Sequence, residues 1–153
     1  MKGFIAAVSL LFINIVYAEQ PGISWGKNLD QALMQAQKTH QLLILDFYAG
    51  WCPPCNQMEQ LTYSDKRIIT QLKNFIPVKI DIDKQQKLAN KYDGNARANG
   101  GSGIPATIIL DANGKQLAKA HGYLSPEELS ELLQKAAINT NKQPAEYELP
   151  RQM

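Results

Sequence analysis

Leu42-Leu43-Ile44-Leu45-Asp46-Phe47-Tyr48-Ala49-Gly50-Trp51-Cys52-Pro53-Pro54-Cys55 is the stretch that decides how this chain is read. Its first seven residues are apolar apart from Asp46, the pattern of a strand buried on both faces. The tetrad Cys52-Pro53-Pro54-Cys55 then opens a helix. Proline costs little in a first helical turn, where the backbone donors have no intrahelical partner. Two thiols at this spacing reach each other across one turn and can cycle between dithiol and disulfide. The partial positive charge of a helix start favours a thiolate. No other cysteine occurs in the chain.

With 153 residues there is chain for one domain and one substantial core. Lysine and arginine number 16 against 14 aspartates and glutamates, interspersed, for a formal charge of +2. That balance excludes the electrostatic footprint of a nucleic-acid binder and a polybasic membrane patch. Residues 1–18 read as a secretory signal: Met1-Lys2, an apolar run from Phe4 to Val16, and the cleavage pattern Val16-Tyr17-Ala18. Cleavage would leave a chain beginning at Glu19. The competing reading is a membrane anchor, but Gly3 to Ala18 contains Asn14 and is short against the roughly 20 residues a span needs. Export places the two cysteines where disulfides persist. A loop this small restricts the unfolded chain little, so the pair reads as catalytic rather than structural. A zinc half-site is the alternative, with only His40 and His121 to complete it and neither in a paired spacing.

Outward from the tetrad, a polar lead covers 19–28. Leu29, Ala32, Leu33 and Ala36 then recur at helical spacing, from a cap at Asn28 or Asp30 to about His40. After the tetrad a helix is expected through Met58 to about Leu61. Another follows from Ser64, with Ile68, Ile69 and Leu72 on one face. Pro77 to Ile82 alternates as a strand, and Gln85 to Tyr92 reads as helix. Asp93 to Gly103 is glycine-rich and reads as a mobile loop. Gly94, Gly100, Gly101 and Gly103 precede no Lys-Ser or Lys-Thr, so they form no phosphate loop. Ala106 to Leu110 is an apolar strand, Asp111-Ala112-Asn113-Gly114 a turn, and Gln116 to Ala120 a second strand. Ser125-Pro126-Glu127-Glu128 is a capping box whose helix turns Leu129, Leu132, Leu133 and Ala136 inward. Residues 139–153 are polar, carry Pro144 and Pro150, and read as a tail. The domain is therefore expected over 29–138. Its order, αβα, αβα, ββα, implies an α/β fold with a central mixed sheet and helices on both faces.

Three spaced motifs, in this order, resemble the thioredoxin-like family. Leu45 to Cys55 is similar to its active-site stretch. Gly103-Ile104-Pro105-Ala106-Thr107 resembles its cis-proline loop, and Gly122-Tyr123-Leu124-Ser125 its last strand-to-helix junction. The resemblance covers about Leu29 to Ala137 and implies the thioredoxin-like three-layer α/β/α fold. The leading helix and Met58 to Asp65 are most similar to exported bacterial thiol:disulfide interchange proteins. The carboxy-terminal domain of the electron conductor DsbD is among them.

The resemblance implies roles. Cys52 is the attacking thiolate, exposed at the helix end, and Cys55, beneath it, resolves the mixed disulfide. Asp46 is anomalous on its own terms, since an unpartnered carboxylate in a buried strand is costly. In the family this position is a buried acid that moves protons to and from the resolving thiol, its pKa raised by burial. The other reading is a solvent-facing strand end. Lys79 matches the lysine that often accompanies that acid, or is a solvated strand lysine. Ile104 and Pro105, across a cis bond, would present a backbone N–H and C=O to an extended substrate. Trp51 shields the site and contacts substrate, or packs in the core. Trp25, Tyr63 and Tyr92 read as packing residues, and His40 and His121 as surface or helix-end residues.

The expected function is that of an exported, periplasmic disulfide reductase acting on protein disulfides. Pro53 and Pro54 rigidify the turn and supply neither charge nor N–H, which favours a reducing or balanced couple over a strong oxidant. No metal, flavin or nucleotide is implied beyond the Cys52–Cys55 pair, and electrons would come from a membrane donor of DsbD type. Two other readings stay open. One is a peptide-binding or chaperone module, against which intact Cys52, Cys55 and Asp46 argue. The other is a cytochrome c maturation thiol reductase, whose usual insertion is not identifiable here.

Overall fold

Asn28 opens the first helix: its side-chain oxygen accepts the Gln31 amide at 3.0 Å, capping α1 (Leu29–Thr39). The helix closes at His40, an exposed C-cap in the left-handed conformation. The computed structural model describes residues 22–92 and 103–141. The expected signal segment, nearly all of the glycine-rich loop and the tail beyond 141 lie outside the described residues.

β1 (Leu42–Tyr48) lies inside a sheet of order β2-β1-β3-β4. β2 (Phe75–Asp81) runs parallel to it, β3 (Ala106–Leu110) antiparallel, and β4 (Gln116–His121) antiparallel to β3. The apolar run of β1 follows from this position, because both of its faces are covered. Leu43, Leu45 and Phe47 point to one side, where Leu29, Ala32 and Ala36 of α1 and Ala89 of α4 (Gln86–Lys91) complete a core. Ile44 points to the other, against Ile68 and Leu72 of α3 (Lys66–Leu72) and Leu129, Leu133 and Ala136 of α5 (Pro126–Asn141). This is the mixed sheet between helical layers that the element order implied. By the same alternation, Asp46 shares the face of Ile44.

Besides single-residue shifts at the ends of β2, α4 and β4, boundaries differ from the expectation at four places. β2 begins at Phe75, two residues before Pro77. The proline is tolerated because its missing N–H falls on the outer edge of the strand, where its carbonyl accepts the Gly26 amide at 2.8 Å. The Lys79 amide donates to the Gly26 carbonyl at 2.9 Å, so the lead covers part of the β2 edge. Asp65, not Ser64, caps α3, its carboxylate accepting the Arg67 amide at 2.7 Å. The capping box at Ser125 and Glu128 forms in both directions, at 2.8 and 3.3 Å, but its helix continues to Asn141 instead of stopping near 138. Nothing between these positions breaks a helix, and the Thr140 hydroxyl donates to the Ala136 carbonyl at 2.9 Å.

The fourth difference shapes the site. α2 (Pro53–Gln57) does not continue as an α-helix but widens into a π-turn over Met58–Thr62, closed by the Tyr63 amide on the Met58 carbonyl at 2.9 Å. In an α-helix Tyr63 would stand about 140° round from Met58. The wider turn lets Met58, Thr62 and Tyr63 all face inward and be buried. The Thr62 hydroxyl holds the turn against the β4–α5 junction, donating to the Leu124 carbonyl at 2.6 Å.

Candidate active site

Cys52 ends the loop after β1 and caps α2, and it is joined to Cys55 in a disulfide. Pro53 and Pro54 occupy the first two helical positions, as the tetrad predicted. Because neither has an N–H, the first amide that can reach the capping sulfur is that of Cys55. It donates to Cys52 Sγ at 3.3 Å. The Ile104 carbonyl oxygen lies 3.7 Å from the same sulfur. A disulfide sulfur has no proton to share, so this is a contact that can become a hydrogen bond in the dithiol. The Ile104–Pro105 peptide is cis, as expected, and the Pro105 carbonyl accepts the Gly122 amide at 2.7 Å.

One expectation is corrected. Cys52 is not the exposed member of the pair: it is 2% exposed and Cys55 8%. The Cys55 sulfur, the Cys55 amide and the Ile104 carbonyl all lie against the Cys52 sulfur. Trp51, in contrast, is 53% exposed and not a core residue. Its indole N–H donates to the Asp83 carboxylate at 2.7 Å.

Asp46 is buried, at 3% exposure, and its register explains its surroundings. It pairs with Lys79 on β2 and with Thr107 on β3, so three polar side chains lie in a row across one face of the sheet. The π-turn brings Glu59 and Tyr63 over that row. Lys79 forms an ion pair with Glu59. Its ammonium lies 5.1, 5.3 and 5.6 Å from the ring centres of Trp25, Tyr48 and Tyr63. Burial pushes the Asp46 carboxyl up to about 6, with Glu59 adding to the rise. Lys79 and then Tyr63 pull it back. Burial, followed by the Asp46 charge, holds the Tyr63 phenol well above its usual value. Asp46 Oδ1, Tyr63 Oη and Thr107 Oγ1 are all buried without a hydrogen-bond partner in normal geometry.

The structure thus gathers Cys52, Cys55, Pro53, Pro54, Ile104 and Pro105 around the disulfide, and Asp46 with Lys79 in the polar row. Sequence reasoning missed Glu59, Thr107 and Asp83, and it took Trp25 and Tyr63 for packing residues alone. The two rings do pack, edge to face with centres 4.9 Å apart, but they also flank Lys79. For Glu59 a signal existed: it stands four residues after Cys55, the spacing of side-chain neighbours along a helix. Among the described residues no three of His, Cys, Asp and Glu cluster as a metal site, and no helix is long and apolar enough to cross a membrane.

A cysteine pair at the head of a helix, delivered by the central strand of a mixed sheet and faced by a cis-proline, defines a thiol:disulfide oxidoreductase of thioredoxin fold. The chain belongs to the thioredoxin-like family, whose domain model matches residues 29–137. It is similar to the thiol:disulfide interchange protein DsbD of Campylobacter jejuni, with 29% identity over 121 residues, 78% of this chain and 21% of that protein. Against the protein of the same name from Ralstonia nicotianae it is 37% identical over 90 residues, 58% of this chain and 14% of the relative. The chain therefore spans about a fifth or less of the length of these relatives. A thioredoxin of Mycoplasmoides gallisepticum is 30% identical over 105 residues, 69% of this chain and 90% of its own length. Among solved structures, a Thermus thermophilus thioredoxin superposes with a TM-score of 0.65 at 22% identity, covering 78% of this chain and 90% of the other. The oxidised C-terminal domain of Neisseria meningitidis DsbD gives 0.58 at 22% identity, covering 74% and 99%. These two share the fold.

Proposed function

We propose that this chain is an exported protein-disulfide reductase of the periplasm, cycling through Cys52-Pro53-Pro54-Cys55 and recharged by a membrane electron donor of DsbD type. One observation carries the chemistry: the Cys52 sulfur closes a disulfide at the helix cap while accepting the Cys55 amide at 3.3 Å. In the dithiol form that amide favours the thiolate on Cys52. The Cys52 thiolate, its proton already given to solvent, attacks a substrate disulfide; a mixed disulfide forms, the substrate S–S bond breaks, and the departing substrate thiolate takes a proton from solvent. Cys55 gives its proton to Asp46 and attacks Cys52 Sγ, which breaks the mixed disulfide. The departing substrate thiolate takes the proton from Asp46. The substrate gains two electrons and two protons, and the protein is left as the observed disulfide.

Trp51, exposed beside the pair, and the Ile104–Pro105 backbone are the proposed docking surface for an extended substrate chain. The similarity to DsbD and the signal read in residues 1–18 support export.

Equilibration of the Cys52–Cys55 pair with glutathione tests the direction. A potential of about −270 mV fits a reductase, and one of about −120 mV overturns it in favour of an oxidase. Insulin reduction at background rate with dithiothreitol present would overturn the enzymatic reading altogether and leave a peptide-binding module. A mature chain beginning at Glu19 in the periplasmic fraction is the expected result for export.

A further inference from the structure

We infer that Tyr63 is a positioning residue for the exchange reaction: its hydroxyl is the hydrogen-bond donor that receives the ionised carboxylate of Asp46. This rests on the reading of Asp46 as the proton carrier for Cys55.

The argument starts from what Asp46 faces. Lys79 stands beside it on β2, Thr107 on β3, Glu59 and Tyr63 above it on the π-turn and the residue that follows. Lys79 is the obvious counter-ion, but its ammonium is engaged by Glu59 and set among three aromatic rings. It acts on Asp46 through space. A buried carboxylate without a donor is strongly penalised each time it ionises. Two neighbouring hydroxyls, those of Tyr63 and Thr107, have no partner in normal geometry: Asp46 Oδ1, Tyr63 Oη and Thr107 Oγ1 are all buried and unpartnered. Of the two it is the Tyr63 hydroxyl that favours the ionised Asp46 carboxyl. With Asp46 protonated, the trio has no charge to organise it. With Asp46 ionised, the phenol donates to Asp46 and the Thr107 hydroxyl donates to the phenol oxygen, the two pairings that tie these side chains together electrostatically.

Tyr63 keeps its proton throughout, consistent with a phenol held well above its ordinary pKa. The proton that moves is the one passed from Cys55 to Asp46 and on to the substrate thiolate. Tyr63 lowers the cost of the state in which Asp46 has given it away. The ring is fixed for this by its edge-to-face contact with Trp25 at 4.9 Å and by the π-turn that rotates it inward.

The test is Tyr63→Phe in the full chain, which keeps the ring and removes the hydroxyl. The Asp46 carboxyl is titrated by NMR with carbon-13-labelled aspartate, and single-turnover reduction of a disulfide peptide is followed against pH. The expected result is an upward move of the Asp46 midpoint by about one pH unit, with the acid limb of the rate profile moving equally. Thr107→Val should move the midpoint in the same direction by less, and it decides the matter if Tyr63→Phe fails to fold. An Asp46 midpoint that stays at its wild-type position in the folded variant overturns the proposal. A midpoint that moves while the rate profile stays supports the Tyr63–Asp46 contact and instead discards Asp46 as the proton carrier.

Discussion

The Trp51 indole is tied to Asp83 by a 2.7 Å hydrogen bond, which fastens the residue before the cysteine tetrad to the turn after β2. The ring is thus half exposed yet anchored at its nitrogen, a pre-set surface beside the disulfide. Asp83→Ala should release it. The expected outcome is a shifted Trp51 indole N–H resonance and a KM for a peptide disulfide raised about threefold, with kcat close to wild type. An unchanged resonance and KM would show that the carboxylate does not hold the ring in solution.

The two cysteines should fail differently. Cys52→Ser is expected to reduce insulin turnover to background, since it removes the attacking sulfur. Cys55→Ser should leave attack intact and accumulate mixed disulfides on Cys52, because no other thiol in the chain can resolve them. Non-reducing electrophoresis after an acid quench reads both.

Asp46 should weaken the fold as pH rises. Its carboxyl titrates at about 6 in the folded protein against 3.8 for the ordinary group, so between these values the native state binds the proton and the unfolded chain does not. Stability is then fully present below about pH 4 and declines until the pH passes the folded value. The loss amounts to about 3 kcal/mol at most. Asp46→Asn should remove this decline, making the variant more stable than wild type at pH 8 and little different at pH 4. Urea denaturation at the two pH values is the check, and equal stability increments at both would place the effect elsewhere.

Lys79 and Glu59 act on the same carboxyl with opposite signs, although they are paired to each other. Lys79→Met should move the Asp46 midpoint up, because it removes a nearby positive charge. Glu59→Gln should move it down. Titrations of labelled Asp46 that shift the same way in both variants would contradict this arrangement.

What could be read in advance depended on how local the cause was. β1 has the bounds expected of it because an apolar run between polar flanks is a one-dimensional signal. The Asn28 cap and the Ser125–Glu128 box are equally local. The cysteine pair and its prolines carry their chemistry in four adjacent letters. The π-turn is different: it rests on a hydrogen bond from Thr62 to a carbonyl sixty-two residues away. No helical periodicity betrays that contact. Glu59 was within reach of a spacing argument from Cys55, whereas Tyr63 was not, since its inward orientation exists only once the turn widens. Thr107 and Lys79 meet Asp46 through strand register, which the sequence of any single strand does not contain. The burial of Cys52 depends in the same way on Ile104, brought in from a distant loop.

The widened turn between Met58 and Thr62 makes the chemistry of this protein sensitive to frame. Substitutions there alter one side chain at a time. Removal of a single residue would instead restore the ordinary helical pitch, leaving the cysteines, the sheet and most of the core in place while swinging Tyr63 out of the interior. Catalytic tuning and folding are thereby stored in different properties of the same segment: composition governs the second, and residue count the first. A relative lacking that extra residue would be expected to keep the disulfide and the fold and to handle its proton by other means.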